Sequence, residues 1–140
     1  AFALKGAFPA ALFAATRGGG QSVSLDVSTG QAFVLEMIGT MFLVWAVFGT
    51  AVDHRAPKIG GFGIGLALAA DILAFGALTG ASVNPARSFG PAFVSGIYEA
   101  QGIYWLAPIT GAIIAALVYQ HLLLTDEPEP ADHGAIGAQP

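Results

Sequence analysis

The residues best suited to act together chemically lie in one short stretch, 80–91 (GASVNPARSFGP). Asparagine is a favoured helix N-cap and proline a favoured first helical residue, so a helix is predicted to begin at Asn84 and Pro85 and to cover 84–96. That helix is too short to span a bilayer, which takes ~20 apolar residues. Because long apolar segments flank it, the pattern predicts a re-entrant half-helix whose positive dipole end points into the membrane.

The start of this half-helix would present a hydrogen-bond donor and a cation to the same space. Asn84 can donate a side-chain N–H, and Arg87 places a fixed charge on the first turn, where it needs carbonyls or water around it. The carbonyls of Gly80, Ala81 and Ser82 precede the helix and can act as acceptors. A narrow tube lined by these groups would repel protons and cations and pass neutral molecules. The alternative is an amphipathic helix on the membrane surface.

Composition favours a membrane protein and argues against several other classes. Hydrophobic residues make up 55% of the 140 residues and charged residues 10%, against ~25% charged in soluble domains. The five Lys and Arg residues are scattered, so no nucleic-acid partner is expected, and there is no cysteine. The chain shows no nucleophile–base pair, metal-ligand cluster or phosphate-binding loop. We therefore expect a channel rather than an enzyme, with no metal and no cofactor.

Three long apolar segments must position the half-helix in the bilayer. Full spanning helices are predicted at 31–52, 59–79 and 101–124, because each is about as long as a membrane is thick. The remaining segments complete the predicted organisation, in which 31–124 is the main unit. They are the end of a truncated spanning helix or a surface amphipath at 1–16, an extracellular loop at 17–30, and a disordered acidic tail at 125–140.

Two carboxylates inside the predicted spans need partners, because an unpaired charge is expensive in a membrane. Glu36 lies about one turn into the first full span, where it can accept hydrogen bonds from the irregular backbone before Asn84 or lie at the headgroup level. Asp71 lies deep in the second span. It either supports the pore directly or bonds to a neighbouring helix or to the re-entrant loop, and we favour the bonded role.

Charge sets the predicted orientation. Arg55 and Lys58 lie together in the short turn 53–58 between two spans, and positive residues favour the cytoplasmic side of a membrane. We therefore expect 53–58 and the C-terminal tail to be cytoplasmic in a multi-pass protein of the plasma (inner) membrane.

Residues 79–92 (TGASVNPARSFGPA) resemble the second Asn-Pro-Ala box of the aquaporin family. The resemblance implies an all-α membrane protein with three full transmembrane helices, a re-entrant half-helix and the tail of a further helix. This is one inverted half of an aquaporin-like six-helix channel. It assigns Asn84, Pro85 and Ala86 to the signature box. The selectivity filter it implies is made of Arg87, Ile72 and Ala81, with Gly80 and Ser82 beside them.

The resemblance also implies a function. It indicates a passive channel for water and small neutral solutes, forming a homotetramer when intact. Isoleucine at position 72, where water-selective members often have histidine, leaves room for other neutral solutes. Ser88, Ala92, Tyr104 and Trp105 follow the water-channel pattern rather than that of a glycerol-type facilitator. Two further possibilities stay open: a non-conducting truncated fragment with an assembly role, and an ion-coupled transporter half that uses Glu36 or Asp71.

Only one signature box is present, whereas the family builds its pore from two half-helices that meet end to end. The chain is therefore expected to be a fragment that lacks the N-terminal half of the channel, or else to assemble as two inverted copies.

Overall fold

The structure, a computed structural model, describes residues 1–124 and is built from helices joined by short irregular segments. The helices are α1 (Phe2–Ala7), α2 (Ala10–Ala15), α3 (Thr29–Val47, continued by a π-helical turn over Phe48–Val52), α4 (Gly60–Thr79), α5 (Pro85–Ser95) and α6 (Gln101–Val118, continued by a π-helical turn over Tyr119–Leu123). Helices α3, α4 and α6 are long and apolar enough to cross a membrane. The predicted all-α class with three spanning helices is confirmed. The tail predicted at 125–140 lies outside the described residues.

Helix α3 is central, because it packs against both α4 and α6. Against α6 the backbones approach closely: a side chain at Gly111 would collide with the carbonyl of Met37. The indole nitrogen of Trp45 donates to the carbonyl oxygen of Ala115 at 3.1 Å. Against α4, Gly39 leaves room for the ring of Phe75. Small residues at these contacts suit helices that associate in lipid, where close backbone approach replaces the hydrophobic effect.

The start of α3 carries a capping box that the hydropathy of the sequence does not show. The side chain of Ser28 accepts from the backbone N–H of Gln31 at 3.3 Å, while the side-chain oxygen of Gln31 accepts from the Ser28 N–H at 2.9 Å. Two otherwise unpaired helix-end donors are thereby satisfied. The helix begins at Thr29, two residues before the predicted 31.

The N-terminal segment is a pair of short helices and not one continuous helix. Helices α1 and α2 meet at Phe8, whose backbone is extended (φ −95°, ψ 146°), and at Pro9. A residue before proline is disfavoured in the helical region, since the proline ring crowds it, so the chain turns here. The assignment of 1–16 to the end of a spanning helix stays a prediction.

Helix α5 is the short helix expected at 84–96, and it is bounded at both ends by local geometry. It begins after Asn84 and ends at Gly96, which has the left-handed conformation (φ 78°) that commonly terminates helices. It packs against α6 and against the turn Arg17–Gly19. On that side the guanidinium of Arg17 pairs with the carboxylate of Glu99 at 2.5 Å.

Candidate functional site: the backbone before the half-helix

A single carboxylate organises the four residues that lead into α5. Glu36, on α3, is completely buried. Its Oε1 accepts from the hydroxyl of Thr79 at 2.7 Å and from the backbone N–H of Ser82 at 2.9 Å, and its Oε2 accepts from the backbone N–H of Val83 at 2.6 Å. Hydrogen bonds to an ionised acceptor are about twice as strong as neutral ones. Glu36 therefore fixes the segment 80–83 against the helix bundle.

The end of α4 is held by a second buried network. The hydroxyl of Thr79 donates to Glu36 and also accepts from the backbone N–H of Ala81 at 3.2 Å. The backbone carbonyl of Thr79 accepts from the hydroxyl of Tyr104 at 2.7 Å, and that tyrosine is completely buried in α6. Side chains from α3, α4 and α6 thus converge on one point, where α4 ends and the irregular segment begins.

The irregular segment holds three residues in the left-handed region of backbone conformation. Gly80 has φ 80°, which glycine adopts freely. Ala81 (φ 43°) and Val83 (φ 44°) are strained there, and for a β-branched valine such a value is an outlier. Each such residue costs of order 1–3 kcal/mol and persists only where its surroundings impose it. The hydrogen bonds to Glu36 supply that constraint.

The same hydrogen bonds aim two carbonyl groups, those of Ala81 and Ser82, at Arg87. In a planar trans peptide the C=O of one residue points away from the N–H of the next. Because the N–H groups of Ser82 and Val83 point at Glu36, the carbonyls of Ala81 and Ser82 point the opposite way. The Nη1 of Arg87 donates to the carbonyls of Gly80 (3.5 Å), Ala81 and Ser82 (3.3 Å). Arg87 is half-buried, and its guanidinium is held by residues 80–82, which lead into the helix that carries it.

Asn84 caps the half-helix with one end of its carboxamide and leaves the other end free. Its Oδ1 accepts from the backbone N–H of Ala86 at 2.9 Å and of Arg87 at 3.3 Å. Within residues 1–124 its Nδ2 donates to no partner, and the residue is exposed. The side chain therefore presents a donor at the positive end of α5. Pro85 follows as the first helical residue, and Ala86 is exposed beside it.

The other predicted filter residues differ in what they present. Ile72, on α4, is 43% exposed and offers its side chain. Ala81 is completely buried, so it offers only its carbonyl. The hydroxyl of Ser82 donates to the carbonyl of Asn84 at 3.0 Å and so steadies the entry to the helix. Of the predicted set, the structure brings 80–82, Asn84 and Arg87 together around one space.

Asp71 is buried in α4, and its expected bond to a neighbouring helix or to the re-entrant loop stays a prediction. It is only 5% exposed, yet no donor in the described part of the chain reaches its Oδ2. It lies away from the cluster around Arg87, in a recess bounded by Phe42 of α3 and by small residues of α4. The structure therefore shows no hydrogen bond from a neighbouring helix or from the re-entrant segment to this oxygen.

The loop before α3 covers the site, although its sequence pattern predicted no site residue there. A recess of about 490 Å³ is lined by Arg87 and Gly80 together with Gln21 and its neighbours. A side chain at Gly80 would lie 2.7 Å from the Cβ of Gln21, so the loop rests directly on the site. The backbone N–H of Ser24 donates to the carbonyl of Leu78 at 2.8 Å and anchors it. The run of three glycines before Gln21 signals only a turn.

Comparison with known proteins identifies the family. The family model described as "Major intrinsic protein" matches residues 1–119. The chain belongs to the major intrinsic protein family. It is 46% identical over 113 residues to Aquaporin TIP1-2 of Zea mays, covering 79% of this chain and 44% of that protein. It is 50% identical over 99 residues to Nodulin-26 of Glycine max, covering 70% and 36%, respectively.

These relatives are longer than the chain, which spans less than half the length of the curated proteins it matches. A third, Aquaporin TIP4-1 of Arabidopsis thaliana, is 43% identical over 106 residues, and the match covers 74% of this chain and 43% of that protein. Family membership and the three apolar helices together make this major intrinsic protein an integral, multi-pass membrane protein.

Proposed function

We propose that this chain forms half of a passive membrane pore for water and small neutral solutes, whose lumen passes Asn84 and Arg87. The observation that carries the proposal is the placement of the Arg87 guanidinium on the carbonyls of 80–82, beside the free amide of Asn84. A fixed cation and a positive helix end oppose the entry of protons and cations. The Asn84 amide and the carbonyl oxygens of 80–82 can replace the hydrogen bonds that a neutral solute gives up when it leaves bulk water.

The proposed filter is less polar than one that contains an imidazole. Ile72 presents a branched apolar side chain and Ala81 adds no bulk, so the polar groups lie on the Arg87 side only. Such a lining accepts water and leaves room for ammonia or hydrogen peroxide. Ser88, one of the residues that follow the water-channel pattern, is buried, and its hydroxyl donates to the carbonyl of Pro85 at 2.9 Å.

One half-helix cannot enclose the pore. We propose that the other side of the lumen is formed by an N-terminal half of the same protein. Several relatives whose names include "Aquaporin" are about twice as long as the matched segment. In this proposal 31–124 is the half-channel, 17–30 lies on the extracellular side and 53–58 on the cytoplasmic side. The intact protein is a homotetramer of the plasma (inner) membrane. The protein conducts water and small solutes and catalyses no covalent reaction.

Osmotic shrinkage of liposomes containing the full-length protein tests the proposal. Stopped-flow light scattering should show water permeability well above that of empty liposomes, with no need for a proton or sodium gradient. Wild-type permeability equal to that of empty liposomes would contradict a pore, and dependence on a gradient would indicate a coupled transporter. Rapid glycerol uptake would instead indicate a facilitator.

The variant Arg87→Val tests the role of the cation. Water flow should persist, while proton leak should rise by about two orders of magnitude, because a unit charge ~5 Å away opposes a cation by ~3 kcal/mol at an effective dielectric constant of ~20. Solute leak should also rise, because valine is smaller than arginine and leaves a wider opening. The matched control is Arg17→Val, since Arg17 pairs with Glu99 outside the proposed lumen. If the leak is unchanged in Arg87→Val, the guanidinium is not part of the filter.

A further inference from the structure

A small polar cavity lies behind the half-helix, between α5, α6 and the loop that precedes α3. Its volume is about 10 Å³. Ser88, Ala92 and Ser95 line it from α5, where steps of four and three residues place them on one face of the helix. Arg87 is not on that face. The rest of the lining includes Arg17 and Gln21 of the loop and Gln101 of α6.

Two amide oxygens at this cavity lack a good hydrogen-bond donor. The Oε1 of Gln21 is buried and has no partner among residues 1–124. The Oε1 of Gln101 lies 3.4 Å from the hydroxyl oxygen of Ser88, whereas ~2.7–2.8 Å is usual for such a bond. The single hydrogen of Ser88 is better placed toward the carbonyl of Pro85, at 2.9 Å. Because a buried acceptor without a donor is costly, both oxygens indicate a donor in the space that they share.

Size and charge select what can supply that donor. A space of roughly 10–15 Å³ accommodates the centre of one water molecule, so a lipid chain or a larger solute does not fit. No Asp or Glu of residues 1–124 lines the cavity, so a metal cation would lack the carboxylates that usually bind it. The guanidinium of Arg17 is already paired with the carboxylate of Glu99 at 2.5 Å, which leaves little attraction for an anion. A neutral molecule with two hydrogens matches the two acceptors.

We propose that the cavity binds one structural water, which donates one hydrogen to the Oε1 of Gln21 and the other to the Oε1 of Gln101. The hydroxyl of Ser95 lines the same cavity and donates to the water oxygen, which gives the three partners typical of a buried water. The water joins the loop to the half-helix and to α6. Since Gln21 also rests on Gly80, the water helps to hold the loop over the backbone that leads into α5. It is a fixed part of the structure and does not depend on conduction.

A crystal structure of the full-length protein, at a resolution that shows ordered water, tests the site directly. We expect one water ~2.7–3.2 Å from both amide oxygens, with the Ser95 hydroxyl as a third neighbour. A protein donor bonded directly to the Oε1 of Gln21, an ion in the cavity, or no ordered density there would overturn the proposal. Water flow is not measured in this experiment, so failure of the proposed pore and failure of this site are distinguishable.

A double-mutant cycle tests the bridge in solution. Gln21→Met and Gln101→Met remove the amide oxygens and keep the length of the side chains. Two residues joined only through the water should be coupled, so their effects on the unfolding equilibrium constant in detergent should deviate from independence by roughly two- to tenfold.

The matched control combines Gln21→Met with Gln120→Met, because Gln120 is exposed on the turn that follows α6. Their effects should multiply to within about twofold, as expected for independent sites. Independent effects of Gln21→Met and Gln101→Met would overturn the bridge. If a methionine variant is not recovered folded, the crystal structure of the wild-type protein decides.

Discussion

The Oε2 of Glu36 accepts the backbone N–H of Val83 at 2.6 Å, while Val83 is held at φ 44°. A valine in the left-handed region is unfavourable, so this hydrogen bond compensates for a backbone conformation that the residue type opposes. The strained peptide planes direct the carbonyls before Asn84 toward Arg87. One carboxylate on α3 therefore shapes a surface that it does not itself reach.

Glu36→Gln should destabilise the protein and reduce water flow. An amide has one acceptor oxygen, whereas the carboxylate serves three donors from Thr79, Ser82 and Val83. At least one buried N–H then faces an NH₂ group, which costs about 1–3 kcal/mol. Thermal unfolding in detergent and stopped-flow light scattering measure the two effects. The control Glu99→Gln removes an exposed ion pair and should cost less than about 1 kcal/mol. Equal effects of the two substitutions would contradict the role of Glu36.

The elements that could be predicted are those whose signal is local. Long apolar runs identified the three spanning helices, because the bilayer sets their length, and the Asn84-Pro85 pair predicted the short helix. The start of α3 was missed by two residues although the signal was present, since Ser28 and Gln31 have the spacing of a capping box. The break at Pro9 also had a local signal, in the restriction that proline places on the residue before it.

The site was harder to predict, because its contacts join residues far apart in the chain. Asn84 and Arg87 were suggested by their chemistry and their place on one turn. The carbonyls of Ala81 and Ser82 turn toward Arg87 because Glu36, more than forty residues earlier, fixes their peptide planes. Nothing near Tyr104 in the sequence indicates that its hydroxyl holds the end of α4.

Asn84→Asp should separate the capping role of this residue from its proposed role in the lumen. Aspartate caps helices as well as asparagine and suits the positive helix end, so stability should change by less than about 0.5 kcal/mol. The substitution replaces the free Nδ2 donor by a negative charge, and cation leak in the full-length protein should rise. Asn84→Ala, which loses the cap, should cost about 1 kcal/mol. An Asn84→Asp protein with wild-type exclusion of cations would place the side chain outside the lumen.

Tyr104→Phe should weaken the junction of α4 and α6 without changing the apolar packing. The tyrosine hydroxyl donates to the carbonyl of Thr79 at 2.7 Å in a completely buried position. Its loss leaves a buried carbonyl without that partner and should cost about 1 kcal/mol, seen as a lower unfolding temperature. Tyr98→Phe is the matched control, because Tyr98 is 51% exposed. A Tyr104→Phe protein as stable as the wild type would show that this bond is dispensable.

Asp53→Asn should change how stability depends on pH. Hydrogen bonds from Arg55 hold the pKa of the Asp53 carboxyl far below its usual value, with a further contribution from the hydroxyl of Tyr119. Arg55 also donates to the carbonyl of Leu123 at 2.8 Å, so the group joins the turn after α3 to the end of α6.

A folded-state pKa below the unfolded value of ~3.9 means that the contribution of Asp53 is fully present above that pH and is lost as the pH falls toward the folded pKa. Unfolding temperatures of the wild type and of Asp53→Asn should therefore differ by a constant amount above about pH 5 and converge below about pH 4. Arg55→Gln should show the same convergence, because it removes the main cause of the shift. A difference that grows as the pH falls would mean that the carboxylate is not stabilised by this contact.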